Sequence, residues 1–300
     1  MQIINSASSS ECLPCKICSA NALLVGRKKG QFRPQIFNLF RCPKCNFTFV
    51  GNPWLDYSEI YSEAYYRGCG ADPSVDYIFE LENPDETVRR HEWRGIVRAV
   101  ESCVALRPDT RWLDFGCGNG GLVRYVTEQR GCSTMGYEEG WIRNEALKYE
   151  IPVISQATLN SSFATFDVIT AIEVLEHLAD PLAELKKIRS LLKPGGLFFF
   201  TTGNAAPHRK DLFDWSYMLP EVHISFFEPV TLARALKCAG FRPEFPGLLP
   251  GYEDIIHFKV LKSLGCRRRT LWEELLPWKF LSPIVNWRVQ AAAHPIGWAE

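Results

Sequence analysis

Leu113-Asp114-Phe115-Gly116-Cys117-Gly118-Asn119-Gly120 decides how this chain is read. Trp112, Leu113 and Phe115 make an apolar strand that runs into a turn with glycine at alternate positions. Leu122, Val123 and Val126 then line one face of a helix. Glycine serves where the backbone needs φ > 0 or must lie against a ligand with no Cβ in the way. The N–H groups that open the following helix point at whatever rests over the turn. Gly-x-Gly-x-Gly alone is also ordinary turn punctuation, so a second feature is needed. Met135-Gly136-Tyr137-Glu138 supplies it, reading as the next strand and ending in an acid about twenty residues on, where a parallel α/β unit holds the ribose of a nucleoside.

A dinucleotide site would follow Gly-x-Gly-x-x-Gly. Here the third glycine comes one residue early, and Asp114 stands just before the loop. In this the chain resembles the class I S-adenosylmethionine (SAM) dependent methyltransferases, whose first motif runs hydrophobic-Asp-x-Gly-x-Gly-x-Gly. Further matches follow in order. Glu138 ends the second strand, and Phe166-Asp167-Val168-Ile169-Thr170-Ala171-Ile172-Glu173-Val174-Leu175-Glu176-His177 covers the fourth. Leu192-Lys193-Pro194-Gly195-Gly196-Leu197-Phe198-Phe199-Phe200 enters the fifth.

The resemblance implies a Rossmann-like, doubly wound, mainly parallel α/β sheet with SAM bound at its carboxyl edge. Asp114 would orient the glycine loop and the amino end of SAM, and Gly116, Cys117 and Gly118 would let the backbone approach it. Glu138 would hold the ribose, and backbone at Ile172 and Glu173 would line the methionine part. The adenine contact is expected around 156–158, although the Gly-Asp often found there is missing. Cys117 is expected to fill a small slot in the loop.

Cys15-x-x-Cys18 and Cys42-x-x-Cys45 form two knuckles in a segment too small for its own core. Such pairs suit one structural Zn²⁺, which prefers four thiolates in a tetrahedron. Cys12-x-x-Cys15 has the same spacing, but choosing it would leave Cys18 spare beside the site. Many bacterial methyltransferases, including sugar-modifying ones, begin with a similar repeated pair.

The formal net charge of zero removes the positive field expected of a chain living on nucleic acid or an anionic membrane. No apolar run approaches the roughly 18 residues of a membrane span. Residues 1–10 lack a basic start and an apolar stretch, which predicts a cytoplasmic protein whose cysteines stay reduced.

Four segments follow from these signals: a zinc ribbon over 1–52, an aromatic linker and helix over 53–106, the SAM-binding domain over 107–263, and an extension over 264–300. Strands are expected near 111–115, 132–138, 152–155, 166–172 and 196–202, with a terminal hairpin near 241–247 and 254–262. Helices are expected over 85–106, from an Asp180 cap with Pro181 to the Lys193-Pro194-Gly195-Gly196 turn, and over 229–239. The tryptophan-rich tail either lies on a membrane surface as an amphipathic segment or packs back over the catalytic domain. Its prolines 277, 283 and 295 favour packing.

Transfer to a hydroxyl or carbon acid needs a base. His177, at the carboxyl end of the fourth strand, and His223, before a helix that overhangs the pocket, are the candidates, with Glu176 behind them. For His177 a structural hydrogen-bonding role competes with this. The long connection 204–227, rich in Trp, Tyr, Phe and His, is the best candidate for holding the acceptor. The favoured function is methylation of a small molecule or saccharide. RNA methylation is weakened by the neutral charge and by Ala171-Ile172-Glu173-Val174 standing where base-amine methyltransferases carry Asn/Asp-Pro-Pro-Tyr/Phe. A non-catalytic SAM-binding module, whose ribbon recruits a protein partner, is the third reading.

Overall fold

Two antiparallel hairpins begin the chain, because each cysteine knuckle is a tight turn between short apolar strands. The computed structural model describes residues 11–69, 76–270, 275, 277–289 and 294–300. Strands β1 (Cys12–Pro14), β2 (Asn21–Lys29), β3 (Ile36–Arg41) and β4 (Thr48–Val50) pair in sequence order. Short helices α1 (Tyr57–Ile60), α2 (Glu63–Tyr66) and α3 (Tyr77–Glu82) occupy the aromatic linker, and α4 (Arg89–Cys103) follows. The linker packs onto the rest of the chain: Ile60, Tyr65, Tyr66 and Ile78 form a cluster with Ile142 and Val222.

Strands and helices then alternate: β5 (Arg111–Phe115), α5 (Gly121–Arg130), β6 (Ser133–Tyr137), α6 (Ile142–Lys148), β7 (Val153–Ile154), α7 (Gln156–Asn160), β8 (Phe166–Ile172), α8 (Pro181–Leu191) and β9 (Leu192–Thr201). After a long loop come β10 (Ser225–Phe226), α9 (Pro229–Cys238), β11 (Phe241–Glu244), α10 (Tyr252–Ser263), α11 (Trp278–Val289) and β12 (Ile296–Ala299). The main sheet has the order β11-β12-β9-β8-β5-β6-β7. β9, β8, β5, β6 and β7 run parallel, and β12 is antiparallel to both its neighbours.

Successive side chains of a strand point to opposite faces, so β9 feeds two cores. Leu197 and Phe199 pack with α4, α5 and α10 through Trp93, Ile96, Leu122, Val126 and Ile255. Phe198 and Phe200 pack on the other face with Leu185, Ile188 and Leu232 of α8 and α9. The Asp180 carboxylate caps α8 by accepting from Ala183 N at 3.0 Å, with Pro181 in the first turn.

The terminal hairpin departs from the sequence reading. Residues 254–262 belong to α10, and the partner of β11 is β12, some fifty residues on. Ile255, Ile256, Phe258 and Leu261 form a short apolar run whose periodicity does not separate a buried strand from a buried helix. The main sheet thus takes its last strand from the segment read as an extension. The end of the tail packs into the sheet, whereas α11 leaves Phe280 and Ile284 76% and 66% exposed. His257 joins the elements of this insertion, stacking on His91 of α4 at 4.1 Å and on Trp278 of α11 at 4.0 Å. Among the described residues no helix is long and apolar enough to cross a membrane.

Candidate active site

The glycine loop is held from below and roofed from above. Gly116, Gly118 and Gly120 have φ of 75°, 55° and 74°, the left-handed region that disfavours a Cβ. Gly116 N and Cys117 N donate to Tyr137 O at 2.8 and 3.0 Å, which docks the loop on the end of β6. Cys117 fills the slot beneath it, since a Cβ on Gly136 would meet its sulfur at 2.4 Å. Glu138 Oε2 accepts from Gly118 N at 3.0 Å, and Oε1 accepts from Gly140 N at 2.7 Å. Asp114 is buried and accepts from Thr170 Oγ1 at 2.8 Å; burial pushes its carboxyl up to about 7.

The roof comes from the aromatic linker. A Cβ on Gly118 would lie 2.9 Å from the Tyr77 ring. Asn119 Nδ2 donates to Tyr77 O at 2.9 Å and to Glu80 Oε2 at 3.1 Å, which fixes α3 over the loop. Tyr66 packs edge-on against Tyr77 with centroids 5.5 Å apart. Bare backbone in left-handed turns beside a buried strand-end acid fits the ribose side of a nucleoside such as SAM. Near the end of β7, the Gln156 side-chain amide contacts the Tyr137 hydroxyl.

At the carboxyl end of β8 a second cluster forms. Glu173 has a φ of 54°, rare for a residue with a side chain, while its N–H donates to Thr201 O at 3.0 Å. This turn sends its carboxylate to Lys259 Nζ of α10, 3.0 Å from Oε1, and to the Tyr217 hydroxyl, 2.9 Å from Oε2. Tyr217 also contacts Glu176 Oε1, so one hydroxyl proton stands between two carboxylates. Thr202 Oγ1 donates to Glu176 Oε2 at 2.7 Å. Burial, then the Glu173 charge, push the Glu176 carboxyl up to about 8. Burial opposes ionisation of Glu173, but the Lys259 ammonium outweighs it and holds that carboxyl below its ordinary range.

The two histidines meet beside these acids, with ring centroids 4.9 Å apart. His177 Nδ1 lies 2.9 Å from Val222 O and 3.0 Å from the Tyr61 hydroxyl, and His223 Nδ1 lies 2.7 Å from Tyr217 O. A carbonyl only accepts, so Nδ1 carries the proton in each neutral ring and Nε2 is the basic atom. His177 Nε2 faces Glu176 Oε1 at 3.9 Å. Glu176, His177 and His223 each offer one ligand atom within 4.8 Å of the others, a carboxylate–imidazole set that could also hold a divalent cation.

The cysteine site is built with near twofold repetition. Ser19 N donates to Cys15 O and Asn46 N to Cys42 O, both at 2.9 Å, and Ser19 and Asn46 have φ of 57° and 61°. The sulfurs of Cys15, Cys18, Cys42 and Cys45 converge, with Cys15–Cys45 and Cys18–Cys42 separations of 3.5 Å. Zn–S bonds of about 2.3 Å in a tetrahedron require sulfurs about 3.8 Å apart, so the four thiols fit the ion. Cys12 lies exposed on β1, outside the cluster.

Of the residues singled out from the sequence, Asp114, Gly116, Cys117, Gly118 and Glu138 form the cradle. Ile172 and Glu173 close the end of β8, and His177 and His223 come together. Lys259 and Tyr217 escaped the sequence reading. Lys259 sat in a supposed strand, and Tyr217 is one of several aromatics in a loop with no spacing rule.

The chain is similar to proteins named ubiquinone biosynthesis O-methyltransferase. It is 36% identical over 111 residues to that of Parvibaculum lavamentivorans, covering 33% of this chain and 44% of the relative. It is 30% identical over 148 residues to that of Aeromonas salmonicida, covering 43% and 62%. The chain thus spans about half the length of the curated relatives it matches. In fold it is similar to Haemonchus contortus phosphoethanolamine N-methyltransferase 2, solved in complex with S-adenosyl-L-methionine. That match has a TM-score of 0.51 and 15% identity, covering 84% of this chain and 60% of the other. A family model described as a methyltransferase domain matches residues 85–244. With that match over a sheet, a glycine cradle and a strand-end acid arranged as above, the chain belongs to the methyltransferase-domain family, in the class I SAM-dependent fold.

Proposed function

We propose that the protein transfers a methyl group from SAM to a small-molecule or saccharide acceptor, with a hydroxyl as nucleophile. One observation carries this reading: two imidazoles, each with Nδ1 committed to a backbone carbonyl, meet at the carboxyl edge of the sheet next to the cradle. SAM supplies an electrophilic methyl on a sulfonium. Asp114, the loop from Gly116 to Gly118 and Glu138 hold it, and Ile172 and Glu173 close the pocket at the end of β8. His177 or His223 takes the acceptor proton on Nε2 as the new bond forms, while Tyr217 and Glu176 fix the ring positions. Aromatic faces from the linker and from Trp215 and Tyr217 suit a planar ring or the apolar face of a sugar. The relatives' name, O-methyltransferase, supports oxygen as the nucleophile. Zinc on Cys15, Cys18, Cys42 and Cys45 has no open position for water, so its role is structural.

Labelled SAM offered with phenols, nucleotide sugars, glycolipids and RNA tests the reading. A small-molecule or saccharide product is expected, and His223→Ala and His177→Ala are expected to lower turnover on it while leaving SAM affinity nearly intact. Transfer to RNA alone, or SAM binding without transfer to any acceptor, would overturn it.

A further inference from the structure

The ribbon sheet takes its last strand from just beyond the candidate base. The open edge of β4 is covered by β10, the strand that begins two residues after His223: Ser225 pairs with Phe49 and Phe226 with Thr48. Val50 N donates to Ile224 O at 2.9 Å, and Ile224 N donates to Glu176 O at 2.8 Å. Ile224 is therefore laced to the ribbon on one side and to the acid beside His177 on the other.

The same ribbon grips the loop that carries Tyr217. Lys28 Nζ of β2 donates to Phe213 O at 2.9 Å and to Met218 O at 2.8 Å. Phe32 N donates to Glu221 Oε1 at 3.1 Å. Phe37, Leu39 and Val50 share a core with Leu212, Met218, Ile224 and Phe226. Behind the second knuckle, Thr231 Oγ1 donates to Cys45 O, and Glu228 accepts from Arg41 at 2.8 Å and from Asn46 at 3.1 Å. β1 and β4 have three residues each, too short to hold their register without a cross-link.

We propose that the metal-loaded ribbon is a positioning element for the acceptor half of the site. The four thiolates fix β4, β4 fixes β10, and β10 fixes His223 and, through the gripped loop, Tyr217. The glycine cradle is built by β5, β6 and α3 and keeps its shape without the metal. Loss of zinc then disarms transfer while SAM still binds. The consequence for catalysis rests on the reading of His223 given above; the coupling itself does not.

The test is amide hydrogen exchange, followed by mass spectrometry, on the full chain before and after zinc removal by a chelator. Peptides covering 222–227 are expected to exchange about tenfold faster or more in the metal-free protein, with SAM affinity within about twofold and protection restored by zinc. Unchanged protection of 222–227 in verified metal-free protein overturns the proposal. Should the metal-free chain unfold, Lys28→Met decides, because it leaves every thiolate in place. It is expected to keep one zinc and SAM affinity, to speed exchange across 212–224 on the order of tenfold, and to lower kcat. Unchanged exchange there overturns the proposal equally. Exchange needs no acceptor, so failure of the coupling and failure of the proposed reaction are read separately.

Discussion

Lys259→Met removes a cation that reaches the site from outside the common sheet. Lys259 Nζ sits 3.0 Å from Glu173 Oε1, with the two side chains 35% and 29% exposed. At that separation an effective dielectric of 20 gives a pair energy of about 5.5 kcal/mol. Partial exposure and the cost of desolvating both ions return most of it; exposed pairs yield about 0.2–1 kcal/mol, and orphaning a buried partner costs about 3–5. An intermediate loss of about 2 kcal/mol is expected, and about 3 °C in Tm for a chain of this size. The loss should come from an orphaned carboxylate, because Glu173 would then face Glu176 across the single Tyr217 hydroxyl. Lys259→Met combined with Glu173→Gln should therefore recover most of it, while Lys259→Arg should lose little. Urea denaturation of wild type, Lys259→Met, Glu173→Gln and the double variant measures the cycle, with Lys259→Arg as a control. A single variant within 0.5 kcal/mol of wild type, on the order of surface substitutions, or a double variant whose losses simply add, would refute the reasoning.

Glu138→Ala should weaken SAM binding by about 2 kcal/mol, about thirtyfold, through lost charge-assisted hydrogen bonds; calorimetry checks it, and unchanged affinity would remove Glu138 from the cofactor site. Gly118→Ala should weaken binding as well, since its Cβ would sit at a φ of 55° and 2.9 Å from the Tyr77 ring. His294 is buried, with Nε2 donating to Thr202 O at 2.9 Å, and burial pushes its pKa down to about 4. The unfolded chain then binds a proton that the folded chain refuses as pH falls from about 6.5 to about 4, so the stability it confers is complete above about 6.5 and lost across that window. Between pH 7 and pH 5 this amounts to about 2 kcal/mol. Urea unfolding of wild type and His294→Gln at the two pH values should show that difference only in the wild type.

The parallel half of the fold was readable because its signals are local. Buried parallel strands such as Phe166–Ile172 and the Leu197–Phe200 part of β9 are nearly continuous apolar runs. The glycine loop must take left-handed dihedrals that few other residues accept, and Asp180 with Pro181 marks a helix start by chemistry alone. The cysteine pairs carry their geometry in their spacing. The insertion between β11 and β12 was illegible for the opposite reason. What makes 252–263 a helix is its docking on α4, where Tyr252 and Ile255 join Trp93, Ile96 and Val100. That is a tertiary fact, and the apolar run alone is ambiguous. Lys259 was lost with it, because its partner lies 86 residues away in the chain.

What the insertion and the ribbon do becomes clear from where they end. The ribbon reaches the connection after β9 from one side, through Lys28 on Phe213 and Met218 and through Val50 on Ile224. α10 reaches the same stretch from a second side, through Lys259 on Glu173, whose carboxylate accepts from the Tyr217 hydroxyl. Both additions thus converge on one aromatic loop, and neither supplies a strand next to the glycine cradle, whose neighbours are β6 and β8. A loop this long would be free to wander if held only at its ends. Gripped from two sides, it presents His223, Tyr217 and Trp215 as a fixed wall: Trp215 stacks on Tyr217 at 4.9 Å, and Tyr217 on His223 at 4.1 Å. On the proposed roles, substitutions in the ribbon should alter acceptor kinetics before they alter cofactor affinity, whereas α10 acts through Glu173, which the proposed SAM pocket shares.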